Sequence, residues 1–164
     1  MSSVSPDHAD PSAQAIAEQS ANSMYSRDRA SQSLGIRLVE IRPGYARLQM
    51  MIREDMVNGH RLCHGGLIFT LADGAFAFAC NSYNLLTVAA AAQIDFLLPG
   101  KLGDELTATA QERTRGKRTG IYDVTVCNQA GECVAMFRGR SHQFDGRTVT
   151  QESGQPTGEP AVPR

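Results

Sequence analysis

The chain has 164 residues, with 16 Lys or Arg against 17 Asp or Glu, and the resulting net charge of −1 excludes a protein that coats nucleic acid through bulk charge. At 41% hydrophobic and 20% charged residues the composition is that of a soluble globular protein, long enough to bury roughly 70% of its unfolded surface in one core. With no Trp, 6 Phe and 4 Tyr, that core must be built mainly from Ala, Leu, Val, Ile and Met.

Residues 1–12 are rich in Ser, Asp and Pro and are expected to form a disordered tail. Asp7, Asp10 and Glu18 break any apolar run in the first twenty residues, so a secretion signal is not expected and a cytoplasmic location is. Asp10-Pro11 supplies an N-cap followed by a proline suited to the first helical position, and the spacing predicts a helix from there toward Ser33, closed by Gly35. Residues 36–41 and 45–53 flank the turn dipeptide Pro43-Gly44 and read as a hairpin. After a polar loop, the run LIFTLADGAFAFACNSY is apolar all round except at Thr70 and Asp73, as a helix buried on every side would be. It is interrupted by Asp73 and shorter than the roughly 18 residues of a membrane span, so no membrane partner is expected.

From Thr87 the period changes to two, with strands around 94–98, 106–111, 122–127 and 132–143. Their separators, Pro99-Gly100, Arg115-Gly116 and Ala130-Gly131, are too short for helical crossovers, so antiparallel pairing is expected. Residues 146–164 hold three Pro, three Gly and no aromatic residue and are expected to be a second disordered tail. The fold class is therefore α+β, with one long helix wrapped by a mostly antiparallel six-stranded sheet over residues 13–145.

Phosphate loops, nucleophile elbows and C-x-x-C pairs are absent, and Cys63, Cys80, Cys127 and Cys133 read as reduced thiols. What stands out is Asn58, then His64-Gly65-Gly66 entering the apolar helix, with Asp73 inside it. No Lys or Arg lies within a helical turn of Asp73, and an unpaired carboxylate on so apolar a helix is costly unless it is used. Gly65 and Gly66 leave backbone N–H groups bare at the helix start, where they can hold a developing oxyanion. His64 is expected to bond the loop and fix the Gly-Gly turn, and Asn58 to orient a water or a carbonyl.

The spacing sets a further condition. Gly65 and Asp73 are eight residues apart, or about 12 Å along a helix, whereas one carbonyl must lie about 3 Å from both groups. A two-fold dimer with antiparallel helices would bring Asp73 of each chain to Gly65 and Gly66 of the other. His60 and His64 with Cys63 have zinc-ligand spacing, but the loop lacks the Glu of H-E-x-x-H, and no metal is expected. A Cys63 nucleophile paired with His142 or His60 is a further alternative. Residues 113–118 place four cations in six residues at a strand turn, which suits phosphates; Arg115 and Lys117 are candidates there.

The segments NGHRLCHGGLIFTLADGAFAFACNS, AAQIDFLLPG, GKRTGIYDV and VAMFRGRSH resemble the hotdog-fold acyl-CoA thioesterases, and within them the PaaI-type phenylacetyl-CoA thioesterases, over about residues 20–150. The resemblance implies the hotdog fold, a homodimer with shared sites and a dimer of dimers. It also implies that Asp73 is the catalytic carboxylate, that the Gly65 amide polarises the thioester carbonyl, and that Asn58 and His64 line it. Gly66, Lys117, Arg115, Thr119 and Phe76 are then the expected substrate-binding residues. Coenzyme A would be part of the substrate, with no separate cofactor. The activity implied is hydrolysis of phenylacetyl-CoA or hydroxyphenylacetyl-CoA in aromatic degradation. A medium- or long-chain fatty acyl-CoA thioesterase and a non-catalytic acyl-CoA-binding module are the alternatives.

Overall fold

The structure is a computed structural model that describes residues 10–151. Helix α1, Pro11–Tyr25, starts where the carboxylate of Asp10 accepts the Ser12 N–H at 3.0 Å. The predicted single helix to Ser33 is interrupted, because Asp28 caps a new one: its carboxylate accepts the Ser31 N–H at 2.9 Å and opens α2, Arg29–Ser33. Gly35 follows in the left-handed region at φ 69°, which glycine adopts without a steric penalty.

Strands β1, Arg37–Arg42, and β2, Tyr45–Met51, form the expected hairpin. The long helix α3 runs Gly65–Asn81, and strands β3, Thr87–Phe96, β4, Glu105–Arg115, β5, Thr119–Cys127, and β6, Cys133–Gln143, follow. The six strands make one sheet in the order β1-β2-β4-β5-β6-β3, with every neighbouring pair antiparallel. Among the described residues no helix is long and apolar enough to cross a membrane.

The sheet turns one face of its alternating side chains onto α3. Leu48 and Met50, Leu106 and Ala108, Val124 and Val126, and Phe137 meet Leu71, Ala75, Phe76 and Phe78 in a contiguous core. Phe76 is completely buried, edge-on to Tyr122 at 5.5 Å and tilted against Phe137 at 5.8 Å. The hydroxyl of Tyr122, which burial would otherwise strand, donates to Glu112 at 2.8 Å, and Tyr83 donates to the same oxygen at 3.0 Å. Helix α1 covers a further part of α3, with Ser20 donating to the Asn81 carbonyl at 2.7 Å.

Two burial expectations are corrected. Helix α3 is not enclosed on every side: Gly66, Phe69, Thr70, Asp73 and Ala77, which share one helical stripe, stay partly or fully exposed because one sheet covers one side of a helix. At the end of β3 and just beyond it, the alternation of Ile94, Phe96 and Leu98 does not mark a buried face, since Phe96 and Leu98 are 52% and 44% exposed and the strand lies at the sheet edge.

Residues at both margins of the expected domain carry contacts of their own. Residues 10–12 open α1, and the chain after Gly146 is docked rather than free: Val149 is 2% exposed, the Leu86 N–H bonds the Arg147 carbonyl at 3.0 Å, and Asn84 exchanges two hydrogen bonds with Thr150. The remainder of the expected tails, residues 1–9 and 152–164, lies outside the described residues. Composition alone points to a tail at 147–150, but the anchoring there comes from partners more than sixty residues away.

Packing around Phe76 makes Gly139 sensitive, because a Cβ there would sit 2.9 Å from three atoms of the buried ring. Gly139→Ala is expected to cost about 1–3 kcal/mol by overpacking, read as a lower denaturant midpoint at unchanged m-value. Ending the chain at Asp145 uncovers the Val149 pocket at a cost of about 2 kcal/mol, and should lower Tm by about 4–8 °C in a thermal scan.

Candidate active site

The loop before α3 is held by its own side chains. Val57 and Cys63 form an antiparallel bridge, and Leu62 bridges Lys101. Asn58 Oδ1 accepts from the N–H groups of His60, at 2.9 Å, and Leu62, at 3.2 Å. Its oxygen is therefore committed to the loop, and the side-chain NH2 is the group it can offer a ligand. The N–H groups of Cys63 and His64 bond the carbonyls of Gly100 and Met56, each at 2.9 Å, which fixes the entry to the helix.

His64 is the N-cap of α3, and its Nδ1 accepts the Gly66 N–H at 3.2 Å. An accepting Nδ1 places the ring proton on Nε2. Of the two amides expected to face a substrate, the cap takes up that of Gly66. The Gly65 N–H has no acceptor among the described residues. It lies at the positive end of a 17-residue helix dipole, suited to a carbonyl oxygen that gains negative charge. A Cβ on Gly65 would stand 3.1 Å from the Phe96 ring, so the bare backbone matters here.

Asp73 lies on the uncovered stripe of the same helix, half-buried. It has no hydrogen bond or ion pair among the described residues, and burial alone raises its carboxyl above the ordinary aspartate value. A cavity of about 390 Å³ opens beside it, lined by Phe76 and Ala77 of α3, Met24 of α1, Leu86 and Val88 around the start of β3, and Val149. Because α3 is one unbroken helix, the Gly65 amide and Asp73 of a single chain stay about 12 Å apart along its axis.

Other expected site residues are placed differently. Phe76 is a core ring that also lines the cavity. Among the turn cations, Arg113 pairs with Asp123 at 2.9 Å, Arg118 with Asp145, and Arg115 stacks 3.8 Å over the Tyr83 ring beside Glu112. Lys117 has no ion pair among the described residues and is exposed, as is Thr119. Burial drives the Cys63 thiol up to about 11, which weakens the reading of it as a nucleophile. Among the described residues no three of His, Cys, Asp and Glu are grouped to hold a metal ion. Met24, Leu86 and Val149 line the cavity although no motif marks them, since each is an ordinary apolar residue brought in from another part of the chain.

Comparison with known proteins agrees with this geometry. A family model described as the thioesterase superfamily matches residues 60–135. The acyl-coenzyme A thioesterase PaaI of Escherichia coli K12 is 50% identical over 82% of this chain and 96% of its own length. The solved structure of the E. coli PaaI protein, from the phenylacetic acid degradation operon, superposes with a TM-score of 0.81 at 50% identity, covering 82% of this chain and 97% of that one. A mutant of the phenylacetic acid degradation protein PaaI from Thermus thermophilus superposes with a TM-score of 0.69 at 32% identity, covering 71% and 100%. With a long helix packed on an antiparallel sheet, an open amide at the start of that helix and, two turns on, a carboxylate without a partner among the described residues, the chain belongs to the thioesterase superfamily, among the hotdog-fold acyl-CoA thioesterases of the PaaI type.

Proposed function

We propose that the chain hydrolyses aryl-acetyl-CoA thioesters, phenylacetyl-CoA or hydroxyphenylacetyl-CoA, to the free acid and CoA in the cytoplasm, in support of aromatic degradation. It does so as a homodimer, itself pairing into a dimer of dimers, in which Asp73 of one chain meets the loop of the other. The observation that carries the reading is Asp73: a carboxylate without a partner among the described residues, on an uncovered helix stripe, beside a cavity of about 390 Å³. The names of the E. coli and T. thermophilus relatives support the aryl-acetyl substrate.

The exposed edge supports the assembly. Strand β3 ends the sheet, and Val88, Phe96, Leu97, Leu98 and Met136 on and around it are each 43–53% exposed. A bare edge with that much apolar surface is a template for a second strand, and pairing β3 with β3 through a two-fold axis would cover it. The same axis lays the two uncovered α3 stripes against each other.

In the shared site the thioester carbonyl accepts the Gly65 N–H, with Asn58 and the His64-capped loop beside it. Asp73 takes a proton from water as the water oxygen bonds the carbonyl carbon, and the oxyanion is held at the helix terminus. The tetrahedral adduct collapses by breaking the C–S bond, and the CoA thiolate leaves and takes up a proton. Attack by the Asp73 oxygen itself, giving a mixed anhydride that water then cleaves, uses the same groups. Lys117 and Arg115, with Thr119 at the start of β5, serve the pantetheine and phosphate end of CoA, Gly66 at the start of α3 lies on the thioester side, and Phe76 serves the acyl end.

Asp73 links activity to stability. The folded protein holds its proton at pH values where the unfolded chain has released it, so this group's contribution to stability falls as pH rises from the ordinary aspartate value through the raised one. Asp73→Asn is therefore expected to lower kcat on phenylacetyl-CoA by about 10²-fold or more while raising Tm at neutral pH, measured by CoA release and calorimetry. Wild-type kcat/KM should fall on the acid side at a pH above the ordinary aspartate range. Activity within a few-fold of wild type in folded Asp73→Asn would remove the assignment, and a preference for straight-chain acyl-CoAs would replace the aryl-acetyl substrate.

Subunit mixing tests the shared site. Asp73→Ala and Gly65→Pro homodimers should each be nearly inactive, the second because proline removes the amide donor. Heterodimers of the two hold one site with both defects and one with neither, and should recover about half the wild-type activity per dimer. Verified heterodimers as inactive as their parents would reject the arrangement.

A further inference from the structure

The cavity beside Asp73 is closed in part by a strap, residues 144–151, that contributes no group to the reaction. A small set of contacts holds it to the turn that follows α3 and to the end of α1. The Phe144 N–H bonds the Leu86 carbonyl at 2.9 Å, and the Leu86 N–H bonds the Arg147 carbonyl at 3.0 Å. Asn84, itself at φ 57°, donates to Thr150 Oγ1 at 3.0 Å and accepts the Thr150 N–H at 3.1 Å. Arg27 donates to the Val149 carbonyl at 3.2 Å.

Between those anchors Val149 is 2% exposed, yet it stands outside the contiguous core around α3. It faces the cavity, opposite a lining that is mostly apolar. The polar side chains in that lining are already engaged: Arg27 with Ser23 and Val149, Asp28 with Ser31, Asn81 with Ala77 and Thr87, and Thr87 with Leu85. Apart from Asp73 they leave little for an acyl group to bond, so what these walls can discriminate is size and shape.

We infer that Val149, positioned by the Asn84–Thr150 clasp, is a specificity-determining residue that limits the size of the acyl group admitted beside Asp73, selecting a compact apolar acyl chain over a longer one. The inference rests on the reading of this cavity as the acyl site of the thioesterase. One methylene more or less in an apolar pocket is worth about 10- to 200-fold in discrimination, which is the scale a single wall residue can command.

The test compares kcat/KM for acetyl-, phenylacetyl-, 3-phenylpropionyl- and 4-phenylbutyryl-CoA in the full-length protein and in Val149→Ala, Val149→Ile, Thr150→Ala and Asp73→Asn. Val149→Ala should raise the 3-phenylpropionyl to phenylacetyl ratio about tenfold, and Val149→Ile should lower the phenylacetyl to acetyl ratio. Thr150→Ala, which loosens the clasp, should move the ratios in the direction of Val149→Ala by a smaller factor. Folding of each variant is followed by circular dichroism and Tm. If folded Val149 variants change all four thioesters by one common factor, Val149 is only a structural plug and the inference is overturned. An inactive Asp73→Asn together with flat ratios would overturn this inference alone, whereas an active Asp73→Asn would overturn the acyl-site reading beneath it.

Discussion

A long apolar helix packed on a single sheet cannot be covered on all sides by that sheet, and much of this protein follows from that limit. The inner face of six strands takes up the side of α3 that carries Leu71, Ala75, Phe76 and Phe78, and α1 takes a second part. The stripe through Gly66, Phe69, Thr70, Asp73 and Ala77 is left over. A carboxylate at its centre is partly desolvated without being sealed away, a setting that raises the proton affinity of Asp73 and keeps it within reach of a ligand.

The start of the same helix divides its free amides between structure and chemistry. Every helix begins with N–H groups that lack intrahelical partners, and here the His64 ring satisfies one of them at Gly66. The Gly65 amide stays open beside Phe96, in a loop stiffened by Asn58. The cap thus holds the helix entrance in place around the one donor that the proposed chemistry requires.

Gly65 and Asp73 are held apart within one chain by the unbroken helix that carries both, and the exposed edge at β3 reaches the start of the same helix through Phe96. Under the proposed two-fold assembly one event satisfies both features: the edge gains a strand and each carboxylate gains an amide. The strap after β6 is a third element near this face, tied to the turn after α3 through Asn84 and Thr150. The proposed catalytic groups stand on a long helix and the proposed wall on a peripheral segment, and Val149 lies outside the core cluster around α3.

Periodicity and caps are local, so the sequence by itself determined the helix with Asp73 inside it, the Pro43-Gly44 hairpin, the antiparallel order of short connections, and the eight-residue spacing that keeps Gly65 and Asp73 apart. It also carried the thioesterase resemblance, because the loop and helix motif is contiguous from Asn58 to Ser82. What lies across from a residue is not local, and there the tertiary structure decided. It placed β3 at an edge with Phe96 exposed, broke the first helix at Asp28, and tied Arg113 and Arg118 to carboxylates at other positions in the chain. It also buried Val149 within a segment whose composition reads as a tail, since two hydrogen bonds to Asn84, some 66 residues away, outweigh what Pro, Gly and Thr content suggests about order.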